Sequence, residues 1–283
     1  MEVFRALASL IEPTGPESRR LADLLELGPL PDGPELSELF LFQLYPYASI
    51  YLGAEGMMGG EARDRIAGFW RALALDPPAE PDHLAVMLAL YARLAELEDE
   101  AEDGRQREAW RQARRAFLWE HLLCWLPPYL AKLTEIGPPF YRRWAEQLTT
   151  ALGEETEREG LPEQLPLHLR EAPGPAHPDE EGGRAFLQSL LSPVRSGLIF
   201  VRADFHRAAR ELGLGVRLGE RRFVLETLMS QDAGATLDWL RGECDLWIDR
   251  HRHDKPSTGM ITTYWTTRAK NTRQLLEEIR TKL

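Results

Sequence analysis

The chain has 283 residues, of which 43% are hydrophobic and 28% are charged, and its formal net charge is −11 at pH 7. This composition is typical of a globular protein with one large domain, or a main domain plus a smaller one, and it excludes a mainly disordered chain. The acidic charge argues against nucleic acid as the main partner, because phosphates would be repelled. It favours a basic partner, although many proteins are acidic for solubility alone.

Cysteine usage and the apolar runs limit the class of protein further. The two cysteines, Cys124 and Cys244, lie beside tryptophan in apolar helical patterns and form no CxxC pair, so neither a disulfide framework nor a cysteine metal site is predicted. The apolar runs 84–91 and 122–130 are too short to cross a membrane. Residues 1–13 lack the basic segment and cleavage motif of a signal peptide. We therefore expect a cytoplasmic protein without stable membrane insertion.

Apolar residues at helical spacing dominate the chain and predict an all-α fold without a sheet of three or more strands. The clearest stripes lie in the segment from Glu61, after Pro81 and from Trp110. They comprise Ile66, Phe69, Trp70 and Leu73; Leu84, Met87, Leu88, Tyr91 and Leu94; and Ala113, Phe117, Leu118, Leu122 and Trp125. Residues 53–60 form a predicted loop around Met57 and Met58. The one strand candidate, 197–201, is equally compatible with a buried helix.

Residues 171–183 combine proline, glycine and acidic residues without an apolar period, and they are predicted to be a flexible linker. They divide the chain into a helical core, 1–170, and a helical C-terminal extension, 184–283. Within the extension, helices are predicted at 202–212, 220–230, 235–251 and 262–282.

Common catalytic signatures are absent: the sequence has no GxSxG, HExxH or Walker motif. Gly213 and Gly215 are followed by Gly219 one position too late for a dinucleotide loop, so we interpret them as a turn between helices. A metal site needs three or four ligands held by a second shell, and neither is evident around His251, His253 and Asp254, so we interpret these residues as a solvated, polar helix end. No metal and no cofactor is expected.

Two short clusters are harder to explain by structure alone. Residues 45–52 contain three tyrosines, a proline and a serine, a composition that suits buried walls as well as peptide grooves. The run Glu80-Pro81-Asp82-His83 precedes an apolar helix. Proline and carboxylates are favourable at a helix start, so capping of that helix explains most of this run. It does not explain His83, since an imidazolium is disfavoured at the positive end of a helix.

Three segments, in this order, resemble the TorD/DmsD/NarJ-like family of redox-enzyme maturation chaperones. They are 47–52 with the following 56–60, then 80–88 with its acidic Asp-His signature, and 117–127 with its Phe…His-Leu…Trp-Leu-Pro stretch. The resemblance implies an all-α, TorD-like fold in residues 1–170, and it covers about 35–150. It also implies a peptide- or client-binding surface, to which the assigned residues are Tyr47, Ser49, Tyr51, Glu80, Pro81, Asp82 and His83.

The family resemblance further implies a cytoplasmic chaperone, not an enzyme. Its expected partner is a molybdopterin-dependent oxidoreductase, through a twin-arginine signal peptide or the enzyme body before cofactor insertion and export. The acidic net charge fits a twin-arginine ligand. A helical hydrolase that uses Asp82 and His83, and a regulatory adaptor, are the alternatives. Asp82 and His83 are expected to serve client binding more than folding. The client's identity and the oligomeric state are not predicted.

Overall fold

The computed structural model describes residues 1–217, 219–253 and 258–283, and within these ranges it contains helices and no β-strand. Helices make up 72% of the structure, which confirms the prediction of an all-α fold. None of the described helices is long and apolar enough to cross a membrane.

The first part of the chain contains nine α-helices among the described residues. They are α1 (Glu2–Ser9), α2 (Gly15–Leu24), α3 (Gly33–Ser37), α4 (Ala48–Leu52), α5 (Gly60–Ala72), α6 (Leu84–Asp99), α7 (Gly104–Phe117), α8 (Leu126–Ile136) and α9 (Pro139–Glu159). Two π-helical segments, Glu38–Gln43 and Leu118–Leu122, follow α3 and α7 directly. The first two predicted apolar stripes fall in or at the ends of α5 and α6, and the third runs from α7 through the π-helical segment Leu118–Leu122 to Trp125, the N-cap of α8.

The second part is also helical within the described ranges. It contains α10 (Leu167–Glu171), α11 (Pro178–Glu181), α12 (Gly183–Leu190), α13 (Pro193–Ser196), α14 (Arg202–Leu212), α15 (Arg221–Gln231), α16 (Ala233–His253) and α17 (Met260–Lys282). The four helices predicted after residue 200 correspond to α14–α17, with ends that differ by no more than two residues. The helical character predicted for the C-terminal region is therefore correct.

Helix α6 is the centre of the first part, because α1 and α7 both pack against it. Its buried side chains include Leu84, Met87, Leu88 and Tyr91, the stripe expected from the sequence. Because α1 packs against α6, the chain that follows α1 lies close to the N-terminal end of α6. This packing determines the position of the residues that precede α6.

Residues 197–201 form neither a strand nor a helix. Gly197 has φ +78, and a Cβ built on it would lie 2.4 Å from the backbone nitrogen of Ala269, so only glycine fits this close approach to α17. Side chains, and not a neighbouring strand, supply hydrogen bonds to the backbone carbonyl groups here. His251 Nε2 donates to the Gly197 carbonyl at 2.8 Å, and Arg221 Nη1 donates to the Phe200 carbonyl at 2.8 Å.

His251 is also buried, so the expectation of a solvated helix end is wrong for this residue, and Asp254 lies outside the described residues. Across 1–217, 219–253 and 258–283, no group of three histidine, cysteine or acidic side chains is placed to hold a metal ion.

One hydrophobic core spans both parts of the chain, from Phe4 to Leu276. A buried ion pair crosses between them: Lys132 Nζ on α8 lies 2.8 Å from Asp204 Oδ1 on α14, and both side chains are almost completely buried. Removal of one partner of such a pair leaves an uncompensated charge, which costs about 3–5 kcal/mol. The two parts are thus joined by apolar contacts and by a buried charge pair that neither part can lose singly without exposing the other charge to a desolvation cost.

Residues 171–183 are held at several backbone groups. Arg268 donates to the Ala172 carbonyl at 2.5 Å, and Arg195 donates to that of Gly174 at 2.9 Å. Residues 179–183 are exposed. The flexibility of 171–183 and the division of the chain at this segment stay predictions.

We expect a glutamate-specific protease to cut the native protein first after Glu180 or Glu181, because both residues are exposed and their backbone is bordered by glycine. The two fragments should still elute together in size-exclusion chromatography, since they share the core and the Lys132–Asp204 pair. Mass spectrometry of the digest identifies the first cut. Fragments that elute separately without denaturant would contradict the shared core, and first cuts elsewhere would contradict the mobility predicted for 171–183.

Candidate functional site

A short antiparallel pairing joins the two clusters that the sequence singled out. Tyr47, in the first cluster, forms an antiparallel bridge with His83, in the second. Beside it, the Leu84 N–H donates to the carbonyl of Pro46 at 2.8 Å. The chain before α4 is therefore fixed against the start of α6, and residues far apart in sequence share one surface.

Asp82 caps α4, which is not the helix that it precedes. Its carbonyl accepts a hydrogen bond from the Ala48 N–H at 3.0 Å, and its Oδ2 accepts one from the Ser49 N–H at 3.3 Å. Both donors lie in the first turn of α4, where backbone N–H groups lack partners within the helix. The N-cap of α6 is His83, whose side chain makes no capping bond. The interpretation of Asp82 as a cap of α6 is therefore wrong.

Five residues, Glu12, Tyr47, Glu80, Asp82 and His83, form what we call the acidic face. The Tyr47 hydroxyl donates to Glu80 Oε2 at 3.0 Å, and its ring meets the His83 imidazole edge-on, with centroids 4.9 Å apart. Glu12 Oε1 lies 3.7 Å from His83 Nε2. Glu12 and Glu80 are exposed, whereas Asp82 and His83 are buried beneath them.

Burial and neighbouring carboxylates set the protonation of the two rings. Burial raises the pKa of Tyr47 to about 12, and the hydrogen bond to Glu80 acts in the same direction. Burial lowers the pKa of His83, although the charges of Glu12, Glu80 and Asp82 oppose this shift. Because an unperturbed imidazole has a pKa of about 6.5, His83 is neutral at pH 7. No imidazolium therefore offsets the negative charge of the acidic face.

The remaining residues assigned from the sequence lie inside the protein. Tyr51 is 2% exposed, and its hydroxyl donates to the Tyr45 carbonyl at 2.7 Å. Ser49 is completely buried and its hydroxyl accepts a hydrogen bond from the Gly59 N–H at 3.0 Å, while Pro81 is also buried. The direct role of these three buried residues in client binding stays a prediction.

Glu12 is the residue of the acidic face that the sequence did not reveal. It follows α1, and the packing of α1 on α6 brings it to His83. No local pattern marks this contact, because it depends on tertiary packing. A cation lies at the rim of the face: Arg63 donates to the Ala79 carbonyl at 3.0 Å, and its charge is offset by an ion pair with Asp64.

Residues 36–131 match the family model described as nitrate reductase delta subunit. The chain is 34% identical to the chaperone protein TorD of Vibrio vulnificus strain YJ016 over 96 residues, which cover 32% of this chain and 44% of the relative. It is 38% identical to the selenate reductase assembly chaperone protein of Thauera selenatis over 97 residues, with coverages of 33% and 48%. The chaperone protein TorD of Shewanella pealeana is 33% identical over 115 residues, with coverages of 37% and 47%.

The resemblance to the TorD/DmsD/NarJ-like family is confirmed. The family model spans residues 36–131, so it includes both clusters and excludes Glu12 and the C-terminal part. The alignments span less than half the length of these three relatives. Their names describe chaperones, which agrees with the expectation that this chain is not an enzyme.

Asp82 contributes to the structure in two ways, as a hydrogen-bond acceptor and as a negative charge, and two substitutions can distinguish them. Asp82→Ala leaves the buried Ser49 N–H without its acceptor, which costs about 1–3 kcal/mol and should lower the melting temperature by about 2–10 °C. Asp82→Asn keeps an oxygen acceptor, so its melting temperature should stay within about 2 °C of the parent. Thermal unfolding followed by circular dichroism compares them. Equal loss of stability in both variants would show that charge, and not capping of α4, is what Asp82 contributes to folding.

Proposed function

We propose that the chain is a chaperone for a molybdopterin-dependent oxidoreductase and that its acidic face binds the twin-arginine segment of the client's signal peptide. The family match and the chaperone names of the relatives support the general role. The observation that carries the binding site is the pair of exposed carboxylates, Glu12 and Glu80, at the two ends of the Tyr47–His83 ring pair. Binding before export would take place in the cytoplasm.

This arrangement suits two neighbouring guanidinium groups. A carboxylate accepts two parallel hydrogen bonds from one guanidinium, and the planar cation also packs well on an aromatic ring. Glu80 lies at the Tyr47 side of the face and Glu12 at the His83 side, so each can receive one arginine. The buried Asp82 adds negative potential without competing for the same contacts. Lysine, a point charge without the planar fork, satisfies this geometry less well.

The hydrolase alternative lacks a nucleophile at this surface. The Ser49 hydroxyl is completely buried and bonded to the Gly59 N–H, and the Asp82 carboxylate faces the backbone of α4. The Tyr47 hydroxyl beside His83 donates to Glu80 and its pKa is raised to about 12, so it is a weak nucleophile at neutral pH, and the five residues of the acidic face include no serine, threonine or cysteine for His83 to activate. A regulatory adaptor would use the same surface, but it would have no requirement for two consecutive arginines. Peptide specificity therefore distinguishes the adaptor from the proposed chaperone.

Loss of both exposed carboxylates, in Glu12→Gln/Glu80→Gln, should weaken binding of a synthetic twin-arginine signal peptide roughly tenfold, because two charge-assisted contacts are lost. The melting temperature should change little, since neither residue is buried. Isothermal titration calorimetry measures the affinity. A peptide with two lysines in place of the arginines should bind the parent more weakly than the twin-arginine peptide.

The matched control is Glu154→Gln/Glu157→Gln, which removes the same charge from two exposed positions on α9. It should change the affinity by less than about twofold, because distant surface charges are screened at physiological salt. If both double variants weaken binding equally, the peptide is held by general electrostatic attraction and not by the proposed site. If the parent does not distinguish arginine from lysine or fails to bind the peptide, the proposed function is wrong.

A further inference from the structure

A second groove, with the opposite charge, lies between the chain before α4 and the C-terminal helices. Its volume is about 600 Å³. Four arginines line it, together with the apolar or aromatic side chains of Phe42, Tyr45 and Met57. We call it the arginine groove; its cations are Arg184, Arg202, Arg221 and Arg222.

Three helices begin at this groove. Arg202 and Arg221 are the first residues of α14 and α15, and Arg184 is the second residue of α12. The N-terminus of a helix carries a partial positive charge and unpaired N–H groups, so it attracts anions and disfavours arginine. Arginines at three such ends add like charge to like charge. This placement opposes helix stability. A bound anionic ligand would turn the unfavourable interaction into a favourable one, because it would pair with the arginines and with the helix N-termini.

Carboxylates of the protein neutralise the groove only in part. Among the described residues that line it, Glu220 is the one acidic residue, and no described residue forms an ion pair with Arg184 or Arg202. Arg222 pairs with Glu226 at 2.8 Å. Four arginines against these two carboxylates leave an excess of positive charge, which reverses locally the overall net charge of −11.

Arg221 is the most constrained of these cations. Its Nη1 donates to the Phe200 carbonyl at 2.8 Å, and it has no carboxylate partner among the described residues. Burial lowers its pKa, which shows that the charged form is poorly solvated. The charge of Asp204 acts on Arg221 without forming an ion pair, and charged groups with perturbed pKa values are frequent at binding sites.

The apolar wall of the groove is exposed and firmly held. Phe42 is 46% exposed and Met57 is 63% exposed, although both are large apolar side chains. The loop that carries Met57 is fixed at Gly56, where a Cβ would lie 3.1 Å from the Leu191 carbonyl oxygen. Gln188 also donates to the Glu55 carbonyl at 2.7 Å. The exposure of Met57 is therefore built into the packing of this loop.

We propose that the arginine groove binds an acidic segment of the client protein, with its carboxylates on Arg184, Arg202 and Arg221 and an apolar side chain against Phe42 and Met57. Arginine, aromatic residues and methionine are the residue types enriched in protein interfaces, and opposite charge selects the partner. An open groove with two exposed apolar side chains suits a peptide segment better than a bare inorganic anion. The identity of the partner rests on the proposed function; the charge and shape of the ligand do not.

The groove and the acidic face adjoin the same short segment of chain. Tyr45 lines the groove and Tyr47 belongs to the acidic face. Two residues of extended chain span about 7 Å, so the two surfaces are neighbours. One client can thus present a basic segment and an acidic segment to neighbouring surfaces. Such a pair of opposite charges would also fix the orientation of the client.

The test uses two peptide probes and two charge-removing variants of the full-length protein. The acidic probe is the blocked hexapeptide Glu-Glu-Leu-Phe-Glu-Glu with a fluorescent label, and the basic probe is the twin-arginine peptide. Arg184→Gln/Arg202→Gln removes cations that make no ion pair in the described structure, so folding should be preserved. The matched control, Arg105→Gln/Arg115→Gln, removes the same charge from exposed positions on α7. Fluorescence anisotropy measures the affinity for the labelled acidic probe, and isothermal titration calorimetry measures that for the basic probe.

The acidic probe should bind the parent and lose roughly tenfold in affinity in Arg184→Gln/Arg202→Gln, with less than about twofold loss in the control. Glu12→Gln/Glu80→Gln should leave it unchanged or slightly tighter. No binding of the acidic probe, or equal loss in both arginine variants, would overturn the inference. Calorimetric binding of inorganic phosphate that is lost in Arg184→Gln/Arg202→Gln, without any binding of the acidic probe, would assign the groove to a small anion instead. Failure of the basic probe alone would reject the proposed function and leave the acidic-segment result standing.

Discussion

The pairing between residues 46–49 and 82–84 is the constraint on which both proposed surfaces depend. Asp82 contributes most to it, because its carbonyl and its carboxylate together accept the first N–H groups of α4. The same pairing holds the His83 ring against Tyr47 and places Glu80 at the Tyr47 hydroxyl. A buried carboxylate here thus acts as a structural acceptor and as part of the electrostatics of the site. Asparagine would keep an oxygen acceptor and remove the charge, so these two contributions of the Asp82 carboxylate can be separated by substitution.

The protein separates its charges over a short distance. The acidic face lies on one side of the chain that enters α4, and the arginine groove lies where α12, α14 and α15 begin. The C-terminal helices matter for this arrangement, because three of the four groove arginines come from α14 and α15. They extend beyond residues 36–131, the part that matches the family model, yet they share one hydrophobic core with it. The added helices are consequently an integral part of the surface that a client would meet.

Much of the fold was predictable because helical periodicity is a local property of the sequence. The limits of α14–α17 were predicted to within two residues, and the clusters at 45–52 and 80–83 were identified before any geometry was known. The capping of α4 by Asp82, the contact of Glu12 with His83 and the convergence of Arg184, Arg202 and Arg221 were not predicted. Each of these depends on the packing of distant helices, for which one sequence carries no local signal. Residues 197–201 resembled a strand because they are buried, but side chains and not a partner strand satisfy their backbone.

The most direct measurement of the central claim is the position at which a twin-arginine peptide rests on the full-length protein. A photoreactive group placed beside the two arginines, followed by mass spectrometry, reports the nearest residues. The account predicts cross-links in 8–14, 44–47 and 76–83, the segments that meet around the acidic face, and their loss in Glu12→Gln/Glu80→Gln. Cross-links confined to the C-terminal helices, or unchanged by that variant, would contradict it.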